Sequence, residues 1–450
     1  MNPHAALLLI RPHRGSTTIT ALQLLASAVT TLLAFAVMML ALAFWNAPTD
    51  EIGYPVLAFG LVALLAVPLV TLGTATARLA ARSRDDRLAT LRLLGVSPAR
   101  VRGLAVAEVT VVAALGVLIG TAVSAALPFA LSPLTVHGDA LRPGELWLPW
   151  WATAALPPLL VLIAALSALL GLRRVVLSPL GVRMRQDAPK LSWIRVALAL
   201  FVVGAAVLVT QLMSPGWGVI VMLGALGALT AVVLAVMAVL GLVGPFAVAL
   251  VSRLVAARTS DPSRLVAARG IQDDPRAAWR SVSALALATF ILIPAGSLLG
   301  YLDTISRSES RSIMTRDQLL LFADARTMLL ALVAVSFVVV ACQVAITQTA
   351  GILEDRELYV ALDRIGMPRP EVHRMRRLRV TTSAKIAVIG AAVASVAVTL
   401  PLVFIAVVVA PLFTAAVVLV LLLGLLLIRT GVGATRPVLR RAIEAPERGE

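Results

Sequence analysis

The sequence predicts an all-α polytopic membrane protein: about ten transmembrane helices in groups of four, two and four, with an internal parallel repeat. Three observations predict it. The 450 residues are 60% hydrophobic and have a mean hydropathy of +0.97, whereas soluble domains are about 45–50% apolar. Several apolar runs exceed about 18 residues with few or no charges, and about 20 such residues cross the roughly 30 Å hydrocarbon core. The basic residues cluster in alternate connections between these runs.

Taken in order, the first apolar run, Ala5 to Ile10, is too short for a signal sequence and is ended by Arg11. The next, 18–45, is too long for one and lacks a clear small-residue cleavage site, so it is read as a retained first span. The others are placed at about 54–77, 105–131, 149–172, 194–213, 217–250, 281–302, 325–349, 380–400 and 408–429. The run at 217–250 is over-long; it tilts or continues as a cytoplasmic helix. Cys342 is the only cysteine. It falls inside a span, so disulfides and cysteine-based metal sites are excluded, and it reads as a small buried hydrophobe.

The net charge of +16 would point a soluble protein toward nucleic acid. Here it is a topology signal. With the N-terminus inside, 34 of the 39 Lys and Arg residues fall in inner segments, and the other five are Arg142, Arg307, Arg311, Arg316 and Arg326. The positive-inside rule then fixes the orientation, with both termini cytoplasmic and some attraction to anionic lipid. Trp45, Trp147, Trp150, Trp151 and Trp217 fall at outer span ends, and Trp193 and Trp279 at inner ones, as the aromatic-belt rule requires. The outer connections are short: Asn46–Gly53, Ser132–Leu148 and the longest, Asp303–Asp324. None reaches the roughly 50 residues a domain needs.

Two inner connections resemble each other. DDRLATLRLLGVSPARVRGL runs from Asp85 to Leu104, and DRELYVALDRIGMPRPEVHRM from Asp355 to Met375. Aligning Gly95 with Gly366 sets Asp86 on Glu357, Leu91 on Leu362, Leu94 on Ile365 and Val101 on Val372. Each lies between the second and third spans of a four-span group, so the chain reads as a parallel duplication with its axis along the membrane normal. In the first copy Leu88, Leu91 and Leu94 make an apolar stripe, with Arg87 and Arg92 off it. Gly95 suits the position just past a helix end. Ser97 and Pro98 read as an N-cap followed by proline at the first helical position. Gly366, Pro368 and Pro370 repeat the pattern. Each copy is thus a short helix, a sharp turn and a second helix leading into the membrane. One such elbow reads as a helix lying on lipid; two at matching positions favour a docking device for a cytoplasmic partner.

Much chemistry is missing. Neither lysine, Lys190 or Lys385, ends a P-loop. His4, His13, His137 and His373 form no H-E-x-x-H motif, and no G-x-S-x-G occurs. The spans carry little polar beyond Gln211, Gln343, Gln348, Ser and Thr. Glu108 and Lys385 lie near inner span ends, where snorkelling accounts for them. No mid-membrane carboxylate of the kind ion-coupled carriers use is found. Gly60, Gly73, Gly116, Gly120, Gly224 and Gly227 read as close-packing positions. No metal site is expected.

With Asp86-Arg87, Leu91-Arg92-x-Leu94-Gly95-x-Ser97-Pro98 and Glu108 at the start of the next span, the sequence resembles the FtsX-like (MacB-type) permeases of ABC transporters. The second copy offers Glu357, Leu362, Ile365, Gly366 and Pro368; it departs at Asp363, where the first has Arg92, and at Arg379, where the first has Glu108. The stretch from Ser263 to Arg276 looks like the amphipathic lead-in to such a permease domain. The resemblance implies four-helix permease units at 18–172 and 261–430, joined by a two-span linker at 173–260 and flanked by cytoplasmic segments at 1–17 and 431–450. Two such units in one chain are similar to permeases of the bacitracin-efflux type, but the large extracellular domain many members carry is missing.

The resemblance also implies a bacterial cytoplasmic-membrane permease without catalytic residues of its own. Its elbows would fit two copies of a separate ATPase, which holds the ATP and Mg²⁺. Spans with little charge suit hydrophobic or amphiphilic cargo, such as a peptide antibiotic or a lipid-like molecule. A non-transporting relay permease is the alternative, followed by an ATP-independent carrier.

Overall fold

The computed structural model describes residues 17–49, 51, 53–82, 97–172, 219–307, 315–354, 361, 364 and 366–434. Among these, nine helices are long and apolar enough to cross a membrane. The chain is an all-α polytopic membrane protein. The predicted span at 194–213 lies outside the described residues. The chain forms two compact units, one of residues 1–40, 69–132 and 142–184, the other of residues 41–68, 133–141 and 185–450.

The first half of the chain contributes α1 (Thr17–Trp45), α2 (Gly53–Arg82), α3 (Pro98–Ser124), the short α4 (Leu127–Leu131) and α5 (Trp150–Leu172). In the first unit small residues set the packing. Val109 and Ala113 of α3 meet Ala164 and Ala168 of α5, each pair one helical turn apart. On another face of α3, Gly116 and Gly120 lie against α1. A Cβ at Gly116 would stand 2.6 Å from the Leu24 carbonyl oxygen, and one at Gly120 would stand 2.5 Å from that of Ala28. This is the close backbone approach that the G-x-x-x-G spacing permits. Gln23 Nε2 donates to the Val109 carbonyl across 2.8 Å beside it, so one buried amide is partly satisfied between the helices. Gly60 has nothing within 4 Å and Gly73 only an ordinary contact, so the packing role belongs to the Gly116–Gly120 pair.

The second unit is organised around α9 (Ser283–Arg307), the most buried of the nine candidate spans. Against it pack α6 (Val219–Arg258), α8 (Pro275–Arg280), α10 (Arg316–Glu354), α11 (Arg369–Val398), α12 (Leu400–Val409) and α13 (Pro411–Ala434), while α7 (Pro262–Asp273) packs on α6 and α11. Helix α9 can occupy the centre because Gly296 and Gly300 admit Val417, Ala410 and Phe413 to within about one atom's contact of its backbone. Ser395 of α11 donates to the Phe290 carbonyl of α9 at 2.9 Å, satisfying a hydroxyl in an apolar surround.

Several boundaries differ from the sequence reading. The over-long sixth span is one 40-residue helix, α6. Helix α3 starts at Pro98, where the elbow reading put the first helical residue, so it precedes the apolar span read from about 105; it ends at Ser124, and α4 is separate from it. Asp303–Asp324 is mostly helix, since α9 continues to Arg307 and α10 begins at Arg316. The reason is local: the Thr315 amide donates to Gln318 Oε1 and the Gln318 amide to Thr315 Oγ1, each at 3.3 Å. This reciprocal capping box starts α10 well before its apolar run. Ser132–Leu148 contains a two-stranded antiparallel hairpin, β1 (Thr135–Val136) and β2 (Asp139–Ala140), paired Thr135↔Ala140 and Val136↔Asp139. Its turn residues, His137 (φ 55°) and Gly138 (φ 86°), are both left-handed, as a tight two-residue hairpin requires.

Trp279 also departs from expectation. It is buried rather than an exposed interfacial ring, because Gly244 of α6 leaves room for the indole where a Cβ would overlap it. Trp45, Trp147, Trp150 and Trp151 are exposed.

Candidate functional site

The second elbow is described from Gly366 onward. Gly366 has φ +89°, the left-handed backbone that favours glycine just past a helix end. Met367 and Pro368 follow. Pro368 takes the N-cap position, and Arg369 and Pro370 open α11. Its carbonyl accepts from the Glu371 amide at 2.8 Å and the Val372 amide at 3.2 Å. The sequence reading of a turn at Gly366 feeding a helix at Pro368 therefore matches the backbone.

One side of this elbow is anchored. Val372 and Met375 of α11 form a buried cluster with Ala267 of α7 and Ile352 of α10, and Met367 and Leu378 pack on it. Polar bonds frame the cluster. Asp261 caps α7 by accepting from the Ser263 amide at 3.0 Å, and it accepts from Arg374 Nη2 at 3.1 Å. Ser263 Oγ donates to Glu371 Oε2 at 2.5 Å. Arg376 is buried and donates to the Gln348 carbonyl at 2.9 Å and to Gln348 Oε1 at 3.3 Å. The same local chemistry recurs at Asp274, which caps α8 through the Ala277 amide at 2.9 Å. Two Asp-Pro steps thus start α7 and α8, and the predicted amphipathic lead-in is the support on which the elbow rests.

The other side of the elbow is open. Ala361, Arg364, Gly366, Pro368, Pro370, Arg374 and Arg377 are exposed. A turn rigid on one face and exposed on the other can bind a partner without paying for its own ordering. Glu357, Leu362, Asp363 and Ile365 lie outside the described residues.

In the first elbow Asp86, Arg87, Leu88, Leu91, Arg92, Leu94 and Gly95 lie outside the described residues. Ser97 is exposed and extended, and Pro98 is the first residue of α3. The Ser97 side chain makes no capping bond, which corrects one detail of the sequence reading. Its carbonyl instead accepts from the Val101 amide at 3.1 Å, and Pro98, lacking an N–H, reduces what a cap has to satisfy. Because α3 begins at Pro98, Glu108 does not start the helix; it is half-buried within it, next to Val109 of the α3–α5 contact.

The sequence reading missed two buried carboxylates. Asp303 near the end of α9 pairs with Arg326 of α10 at 3.8 Å. Asp324 of α10, 2% exposed, accepts from the Tyr54 hydroxyl at 2.6 Å and from the His137 backbone amide at 2.7 Å. The Thr315–Gln318 capping box was the signal that places Asp324 inside a helix; Asp303 lies inside α9, which runs on to Arg307. An apolar cleft lies between α9, α10 and α13, lined by Leu285, Leu292, Phe337 and Val340 among others. Ser336, its hydroxyl buried without a hydrogen-bond partner, also faces it.

No curated protein matches the chain. Residues 56–179, which run from α2 through the first elbow and past α5, match the family model described as FtsX-like permease C-terminal. Over that segment the chain is similar to FtsX-like permeases, a family of ABC-transporter membrane subunits that work with separate ATPase partners.

Proposed function

We propose that this chain is the membrane subunit of an ATP-driven exporter for hydrophobic or amphiphilic compounds, with two coupling elbows that each receive one copy of a separate ATPase. The first elbow is Asp86 to Pro98 and the second is Glu357 to Pro368. The observation that carries the reading is the second elbow's build: a left-handed Gly366, a proline-led helix and an exposed face, held from behind by α7 and α10. The family match across the first elbow supports the same role there. ATP and Mg²⁺ belong to the partner, and closure of the ATPase pair would move the elbows and, through them, the spans. The bias of Lys and Arg toward the elbow side supports an orientation with elbows and both termini in the cytoplasm of a bacterial cell. The apolar cleft beside α13, whose outward face is largely exposed, supports cargo arriving from the bilayer.

The test is reconstitution of the chain with the ATPase that co-purifies with it. Peptide antibiotics or lipid-like amphiphiles are expected to raise ATP hydrolysis in liposomes severalfold and to be moved across the bilayer. An ATPase that binds tightly but ignores every such compound, with no movement of any, would refute export and leave a force relay.

A further inference from the structure

We propose that Tyr54, His137 and Asp324 form a latch that ties together the starts of the two helices leading into the two elbows, so that movement of the elbows opens or closes it. The proposal rests on the elbows being the moving parts, as argued above. Chain continuity gives the latch its place. Helix α2 runs from Gly53 to Arg82 and precedes the first elbow at 86–98 in the chain. Helix α10 runs from Arg316 to Glu354 and precedes the second elbow at 357–368 in the chain. Tyr54 is in the first turn of α2, and Asp324 is two turns into α10. Their hydrogen bond therefore joins the starts of both helices, of which α2 carries Pro68 in its interior. Helix α10 has 39 residues and no proline, a rod about 58 Å long at the usual rise per residue.

The chemistry suits a contact that is made or broken, not one that slides. Tyr54 is fully buried and Asp324 nearly so. Both donors, the Tyr54 hydroxyl and the His137 amide, converge on the same oxygen, Asp324 Oδ2, at 2.6 and 2.7 Å. The His137 ring lies 5.9 Å from the Tyr54 ring, and its Nε2 is 3.6 Å from Asp317, about two turns before Asp324 on α10. Hydrogen bonds of this length weaken steeply with a displacement of an ångström or with loss of alignment, whereas apolar side chains can shift and stay in contact. A carboxylate buried for adhesion alone would be poorly chosen, since apolar residues of the same volume pack as well or better. Two glycines bring backbone close to α10 beside it. Gly53 faces Leu321 and Gly138 faces Leu320, and in each case a Cβ would press on the leucine. Backbone therefore lies close against the α10 face at these two points, and the Asp324 hydrogen bonds supply the directional hold. The left-handed His137–Gly138 turn is what aims the His137 amide at Asp324.

The test uses the full chain alone in lipid nanodiscs, so it stands or falls independently of whether the elbows bind an ATPase. Hydrogen exchange is followed over 134–141 and 53–60. Nitroxides on A99C and A361C, in a C342S background, report the distance between the elbows. Y54F and D324A should each speed exchange in both segments by about tenfold or more, as loss of a hydrogen bond to a buried charged acceptor does. Both should also shift or broaden the distribution of elbow distances. D324N keeps an oxygen acceptor and should stay near wild type. S395A, which removes a buried hydrogen bond elsewhere in the same unit, should loosen its surroundings and leave the elbow distance alone. Faster exchange with an unchanged elbow distance in Y54F and D324A would overturn the proposal and leave the network a local brace. Equal damage from D324N and D324A would overturn the acceptor geometry on which it depends.

Discussion

At the residue scale, glycines do two different jobs. Gly116 and Gly120 remove side-chain bulk where α3 crosses α1, and Gly366 supplies a backbone angle. The distances set the cost. A Cβ at Gly120 would sit 2.5 Å from a carbonyl oxygen that cannot move without moving α1. Gly120→Val should therefore lower the stability of the full chain by about 1–3 kcal/mol, the usual range for overpacking. Gly60→Ala, with nothing within 4 Å, should be neutral or slightly stabilising through helix propensity. Thermal unfolding of both variants in detergent checks the contrast; equal losses would contradict it. The pair was legible in the sequence as G-x-x-x-G. The direction it faces was not, because spacing alone does not say which neighbour fills the groove. Asp324 was illegible for a related reason. Nothing in its own surroundings in the sequence says that Tyr54 and His137, 270 and 187 positions away, will meet it.

At the element scale, the second elbow depends on Gly366. An alanine held at φ +89° costs about 1–2 kcal/mol, while asparagine tolerates that region better. Gly366→Ala should raise hydrogen exchange across 366–372 and weaken partner binding; Gly366→Asn should do so less. Indistinguishable exchange in wild type and Gly366→Ala would show that the turn is not held in this conformation. The helix–turn–helix order of the elbow was readable because glycine and proline act through local sterics. The framework behind it was only partly so. The Asp261-Pro262 and Asp274-Pro275 steps announce α7 and α8, but the Arg374–Asp261 and Ser263–Glu371 bonds join residues more than 100 positions apart. The extent of α9 and α10 was underestimated because hydropathy marks the part of a helix that lies in lipid. A capping box, not an apolar run, fixed where α10 starts.

For the whole molecule, composition and charge partition were enough to predict the nine candidate spans that the described residues contain; the tenth expected span, 194–213, lies outside them. Hydropathy works here because a backbone in lipid must satisfy its own hydrogen bonds as helix. Function is less direct, since the proposed permease role involves no reacting groups to recognise; the signature proposed for it is mechanical and sits in two short connections. The central claim is that those connections grip an ATPase, one copy each. The direct measurement is the mass and composition of the complex purified through this chain, for wild type and for Leu91→Asp and Gly95→Asp, which put a charge on the first elbow's stripe and bend. The account predicts two ATPase copies per chain in wild type and loss of ATPase from both variants, with the helical content of the chain unchanged. Two copies of this chain in one particle, or full ATPase retention by both variants, would contradict it.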